Sequence, residues 1–290
     1  MRKEMKKSIR NRSIVVLIVA LSIIMILALR NNYKSKTPKV PYVDKEFQKS
    51  KMIMETAEKC ALVLKKHDLN RGTRVEDAFT SDGKKTAYLT FDDGPSTTVT
   101  PSVLKTLEEN NINATFFLIG SNIKRSDESE QLARRIFYEG NSIGNHTYSH
   151  NPSIIYPNNS IDPVVFMQEI NATDSILKNV LGQSFSTRIL RMPGGRMTRV
   201  HYHDVRLFNT EQELKQQNMV DIDWNAYGFD AEGRPKTAEQ IFENIKRTTY
   251  GKQKVVVLMH DTYGKEETAK ALPSVIAYLK SQGYEFGTLK

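Results

Sequence analysis

Thr90-Phe91-Asp92-Asp93-Gly94-Pro95 sets two adjacent carboxylates where an apolar, strand-like run meets a Gly-Pro bend. Neighbouring side chains at a strand end point in different directions, so one carboxylate can face a cation while the other handles a proton. An ordinary surface turn uses the same residues, and the motif alone does not separate the two readings. His146 and His150 stand four apart in His-Thr-Tyr-Ser-His. If that segment turns helically, both imidazoles share a face and reach one ion. With one carboxylate of the Asp pair they form a set of two His and one Asp with a coordination position left open. Catalytic zinc uses such a set, and cobalt, nickel or iron accept it too. A cation so held polarises a carbonyl and lowers the pKa of a water to about 7. His260 closes the apolar run 255–259 and could protonate a leaving amine or alcohol; a capping histidine at a strand end is the plainer alternative.

Arg191-Met192-Pro193-Gly194-Gly195 adds a guanidinium and a tight loop. The guanidinium can orient a carboxylate and favour its ionised form, and the glycines let backbone N–H groups approach a developing oxyanion. A rim ion pair beside a Gly-Gly turn would look the same. Asp223-Trp224 offers another carboxylate, suited to orienting His260, and the only tryptophan, a flat wall for a sugar or a core residue.

The elements that must carry these residues are legible as an alternation. Strand-like runs fall at 86–91, 114–119, 142–145, 188–191, 219–223, 255–259 and 284–289. Helix-like stretches lie between most of them, at about 101–110, 129–139, 163–181, 206–217, 238–248 and 267–281. Such alternation predicts parallel strands joined by crossover helices. About seven units over this length fit an α/β fold of the closed or nearly closed (β/α) barrel kind better than an open doubly wound sheet. Asp92-Asp93, His146, Arg191, Asp223 and His260 then each fall at or just past the C-terminal end of a different strand, the face that carries chemistry in barrels.

The net charge of +9 over 290 residues is not spread over the fold. Ten of the 42 Lys and Arg, but one of the 33 Asp and Glu, lie in the first 39 positions, which leaves 32 of each sign beyond them. Nucleic-acid binding needs basic residues gathered on the folded domain, and this balance gives no support for it. Residues 13–29 are uncharged, bracketed by Arg12 and Arg30, and preceded by six Lys or Arg. As a helix they would reach about 25 Å, the short end of a membrane span, with the N-terminus in the cytoplasm. A cleaved signal peptide competes, but Ala20-Leu21-Ser22 is the one small-x-small site and sits inside the apolar run. We therefore expect a basic tail (1–12), a transmembrane anchor (13–30), a stalk with a helical linker (31–83) and an extracytoplasmic domain (84–290). Cys60 is the single cysteine, so an intrachain disulfide is excluded, as suits a bacterial surface protein of this size.

Taken in order, Thr90-Phe91-Asp92-Asp93-Gly94-Pro95, His146-x-x-x-His150, Arg191-x-Pro193-x-Gly195, Asp223-Trp224 and Leu258-x-His260 resemble the motif set of the NodB-homology polysaccharide deacetylases, carbohydrate esterase family 4. Residues 114–117 resemble that family's second strand, and the likeness covers about 84–290. It implies a distorted (β/α) barrel that removes N-acetyl groups from a polysaccharide. Asp92 would be the general base, held by Arg191. Asp93, His146 and His150 would bind one divalent metal, Zn2+ first, with Co2+ or Ni2+ as substitutes. His260 would be the general acid, tuned by Asp223. Pro193, Trp224 and Leu258 would shape the acetyl pocket, and the N–H of Gly194 would complete the oxyanion site. Many relatives carry an aromatic residue where Gly194 stands, so a more open pocket wall is expected. His201 and His203 match no ligand position of the family.

With an anchor facing the wall, peptidoglycan at N-acetylglucosamine is the expected substrate. Chitin-type oligosaccharides or another acetylated surface glycan are the alternative. A non-catalytic glycan-binding wall protein would be expected to lack at least one of these positions, and all are present. No obligate protein partner is implied.

Overall fold

The computed structural model describes residues 72–290. The expected basic tail, anchor and stalk, Cys60 and the linker helix up to 69 lie outside the described residues. Among those described, no helix is long and apolar enough to cross a membrane.

Two apolar runs make the centre. Strand β1 (Thr86–Gly94) pairs in parallel with β7 (Lys254–His260), in a register that sets Asp92 opposite His260. Every residue of β7 is buried, as expected of a parallel strand covered on both faces. On its other edge β1 pairs with β8 (Glu285–Gly287) at its start and with β2 (Thr115–Leu118) at its end. The sheet continues through β3 (Ser142–Asn145) and β4 (Ile189–Leu190) to β5 (Val220–Asp221), and beyond β7 to β6 (Ala226–Tyr227). All pairings are parallel.

In chain order the helices are α1 (Thr100–Glu109), α2 (Gly120–Ile123), α3 (Asp127–Tyr138), α4 (Pro152–Ile155) and α5 (Pro163–Leu181). They are followed by α6 (Arg196–His201), α7 (Leu207–Gln216), α8 (Ala238–Thr249) and α9 (Glu266–Ser281). The six longer ones fall where the sequence periodicity puts them. The barrel, however, is not closed. Strands β5 and β6 are the two edges and do not pair with each other among the described residues. Ladders of two residues at β4, β5 and β6 are too short to complete a circle, and the result is an open, parallel-stranded α/β half-barrel.

Period-two alternation splits each strand between two cores. Ala87, Leu89, Phe91, Val255, Val257 and Met259 face outward into the helical layer with Leu104, Ile136, Ile245 and Leu272. Tyr88, Val256, Phe117, Ile189 and Ile222 face inward and are plugged by Val75, Ala78 and Leu289. The inward rows continue upward through Thr90 to Asp92, through Leu258 to His260, and from Ile189 to Arg191. The same alternation that fills the half-barrel thus delivers carboxylate, imidazole and guanidinium to its C-terminal mouth.

Candidate active site

At the end of β1 the ladder to β2 is broken between Asp92 and Gly94, and Asp93 sits in the left-handed region at φ 69°. This bulge sends the two carboxylates to different partners. Gly94 is required by close approach: a Cβ there would lie 2.4 Å from Asp261 Oδ1. Asp261 is fully buried beneath the turn, where burial together with Asp93 and Asp92 pushes its carboxyl up to about 7, against the opposing hydrogen bond from Thr100. The turn is further tied by Asn122 Nδ2 donating to the Asp93 carbonyl at 2.8 Å.

The histidine motif is not helical. Its residues form a bent loop after β3, with Thr147 at φ 67° and His150 at φ 50°. This path, rather than a helical turn, brings the two rings to a centroid separation of 4.7 Å. His146 Nδ1 lies 2.7 Å from the carbonyl of Arg191, and a carbonyl can only accept, so Nδ1 carries the proton and Nε2 is the free nitrogen. His146 Nε2 is 3.2 Å and His150 Nε2 3.4 Å from one oxygen, Asp93 Oδ1. That oxygen is buried and accepts no hydrogen bond among the described residues.

One ligand atom from each of Asp93, His146 and His150 lies within 4.8 Å of the others. The donor set and the orphaned oxygen fit a divalent cation. Electrostatics agree. Burial opposes a proton on His146, but Asp92 and Asp93 outweigh it and raise its pKa. Burial and His146 lower that of His150. Burial would raise Asp93, but His146, His150 and His260 hold its carboxyl far below the usual range.

Arg191 is wholly buried. Its Nη1 donates to Asp92 Oδ1 and to Thr90 Oγ1, both at 2.8 Å, and its Nε donates to the carbonyl of Ile222 at 2.8 Å. The guanidinium stacks 4.2 Å over the Phe117 ring. Asp92 is thereby aimed by a planar cation that cannot rotate. Gly195, at φ 82°, leaves room for Trp224, which would meet a Cβ at 2.9 Å. Gly194 is exposed, and its N–H has no hydrogen-bond partner among the described residues. Pro193 and Leu258 are buried at the same mouth, Leu258 on the His260 face of β7.

Asp223 is not the partner of His260. Its carboxylate caps α6 instead, accepting from the N–H groups of Arg196 and Met197, each at 2.8 Å. It follows β5, at the far edge of the sheet. The residue beside His260 is Asp230, whose Oδ1 lies 2.9 Å from His260 Nδ1 and whose Oδ2 accepts from His260 N–H and Thr268 Oγ1. Asp230 follows β6, which pairs with β7, and so ends next to the histidine. Burial would lower the pKa of His260, but the hydrogen bond and charge of Asp230 push it up to about 9.

The sequence pattern of the polysaccharide deacetylases matches residues 80–212. A peptidoglycan-N-acetylglucosamine deacetylase of Bacillus cereus is 30% identical over 286 residues, 97% of this chain and 93% of that protein. The chain belongs to the polysaccharide deacetylase family. Among solved structures, a Streptococcus mutans CE4 esterase is 33% identical and covers 76% of this chain and 92% of its own, with a TM-score of 0.69. The catalytic domain of a Eubacterium rectale peptidoglycan N-acetylglucosamine deacetylase is 26% identical over 73% of this chain and 91% of its own, with a TM-score of 0.63.

As a polysaccharide deacetylase the chain carries working parts that motif reading passed over. Thr90 shares Arg191 with Asp92, and its position two residues before Asp92 was the available signal. Tyr156 donates from its hydroxyl to the Pro193 carbonyl at 3.0 Å, and its ring packs 4.2 Å from the Arg199 guanidinium, bracing the glycine loop. Asp230 is announced only by a two-residue strand. His201 ends α6, and with His203 it is exposed.

Proposed function

We propose that this deacetylase removes acetyl groups from the N-acetylglucosamine of peptidoglycan, with one divalent cation, Zn2+ first, held by Asp93, His146 and His150. The observation that carries the reading is the single buried Asp93 oxygen facing two imidazole nitrogens, with an aimed, separately held Asp92 beside it. The substrate follows the Bacillus cereus and Eubacterium rectale proteins, whose names specify it. A membrane anchor over 13–30, with the domain outside a bacterial cell, would place the enzyme against the wall.

When bound, the cation supplies Lewis acidity, polarising the acetyl carbonyl and acidifying a water. Asp92, fixed by Arg191, takes the proton of the attacking water. The free N–H of Gly194 is offered to the oxygen that gains charge. His260, with Nδ1 committed to Asp230, gives a proton from Nε2 to the departing amine, so water and amide become acetate and a free amino sugar. Trp224, Leu258 and Pro193 bound the space for the acetyl methyl.

The test is acetate release by the full chain from N-acetylated peptidoglycan and from chitooligosaccharides, with chelator and with added Zn2+. Zinc-dependent acetate from peptidoglycan supports the whole reading, and release from the oligosaccharides alone overturns the substrate. No acetate from either glycan overturns the reaction. Asp92→Asn should bind metal and release no acetate; activity equal to wild type would remove Asp92 from its role.

A further inference from the structure

The loop that presents His150 follows a path it cannot hold unaided. Thr147 and His150 both occupy the left-handed region, where side-chain-bearing residues persist only if their surroundings enforce it. The enforcement on the carbonyl side comes from the start of α2: Gly120 N–H binds the Thr147 carbonyl at 3.0 Å and Ser121 N–H the Tyr148 carbonyl at 2.9 Å. Within the loop, Asn145 Oδ1 accepts from Thr147 N–H and Thr147 Oγ1 from His150 N–H.

The amides of Tyr148 and Ser149, between these, are held by one atom. Glu169 Oε2, on α5, accepts from Tyr148 N–H at 3.0 Å, from Ser149 N–H at 2.6 Å and from Ser149 Oγ at 2.9 Å. Among the described residues no cation lies within ion-pair distance of Glu169, so loop donors alone satisfy this oxygen. Bonds to an ionised acceptor are roughly twice as strong as neutral ones. Further along α5, Asn145 Nδ2 donates to the Ile170 carbonyl and to Asp174 Oδ1, tying the start of the loop to the same helix.

We propose that Glu169 is a positioning residue for the metal site: it holds peptides 148–149 so that His150 Nε2 converges with His146 Nε2 on Asp93. The proposal rests on the reading of Asp93, His146 and His150 as a cation site. Outer groups that orient ligands typically contribute 10–100-fold in metal affinity. Because Glu169 bonds the loop rather than the side chains of Asp93, His146 or His150, its contribution should be read in binding.

The experiment uses the metal-free full chain titrated with Co2+, followed by the visible absorption of the bound ion and then by Zn2+ competition. Glu169→Ala should weaken Co2+ binding about 10–100-fold. Glu169→Gln, which keeps an acceptor oxygen but no charge, should fall between that variant and wild type. Ser149→Ala, which removes one of the three bonds, should weaken binding least. Co2+ affinity within about twofold of wild type in Glu169→Ala, with its metal-free circular dichroism intact, overturns the proposal. If Glu169→Ala does not fold, wild-type affinity in Glu169→Gln does the same. A wild-type chain that takes up no Co2+ overturns the cation site itself, a different failure.

Discussion

Replacing Asp230 by Asn removes the charge that holds the His260 proton while keeping a side chain of the same size. In the native pair, burial works against the imidazolium and Asp230 overcomes it, giving a pKa of about 9 against an ordinary 6.5. In Asp230→Asn burial remains and the largest opposing contribution is gone, leaving the charges of Asp93 and Asp92, so the pKa should fall toward 6.5. A general acid works only when protonated, so the basic limb of kcat/KM should move down by about 2 pH units. At pH 8 a group with a pKa of about 9 is roughly nine-tenths protonated and one at 6.5 roughly 3%, so the variant should be slower by about 30-fold there and far less affected near pH 6. A cation at Asp93 would lower the basic limb in both proteins, which makes their difference the quantity to read. The assay is acetate release from a soluble glycan across pH 5.5 to 10. A basic limb that stays in place would refute the assignment of His260 as the acid tuned by Asp230. Asp223→Ala is the control: it should cost about 1 kcal/mol as a lost helix cap and leave the limb where it is.

The same pair has a stability consequence of definite sign. The folded pKa of His260 is raised, so the stabilisation is complete below 6.5 and is lost as pH rises through about 9. A shift of this size corresponds to ~3 kcal/mol, which a urea midpoint measured at pH 6 and pH 9.5 should show in wild type and not in Asp230→Asn. Arg191→Leu should cost ~3–5 kcal/mol, because it leaves Asp92 buried without its cation; an unchanged urea midpoint would show that Arg191 is not the partner that makes burial of Asp92 tolerable. Gly94→Ala drives a methyl into the Asp261 carboxyl and should cost ~1–3 kcal/mol with loss of acetate release. Adding Asp261→Ala removes the obstacle, and strict additivity of the two changes in a thermal-denaturation cycle would argue against that contact.

The long helices and the central strands were legible because their patterns are long. Residues 163–181 and 254–260 carry enough apolar positions in one period to be read without a partner. Asp92, Asp93 and His260 were legible as candidate chemistry because each ends such a run, whereas His146 and Arg191 follow short strands and were read from their motifs. What failed depended on elements too short to have a pattern. Strand β6 is two residues, and without it nothing in the sequence puts Asp230 nearer to His260 than Asp223. The same two-residue strands decide that the barrel stays open. His146 and His150 have helical spacing but not a helix, because Glu169, Gly120 and Ser121 capture the loop's polar groups from elements far away in sequence. Spacing reports which residues can meet, and it is silent on the path when the backbone's partners are not local.

Asp92, Asp93 and Asp230 differ in how their charge is met, and the roles proposed for them follow that difference. Asp92 has a fully buried guanidinium in Arg191 that fixes it in place, which leaves its second oxygen for the proton transfer proposed above. Asp230 has an imidazole proton that it raises and keeps, and therefore serves His260 rather than the substrate. Asp93 has neither. Its buried oxygen faces two nitrogens, one of them made proton-free by the Arg191 carbonyl, and burial in this state is costly for a charged group without a partner. A cation at that point completes the balance, while exchange of Asp93 for a neutral residue would leave two converging imidazoles with no charge to draw the ion. The site is thus specified less by the types of its residues than by which of them the fold leaves unpaired.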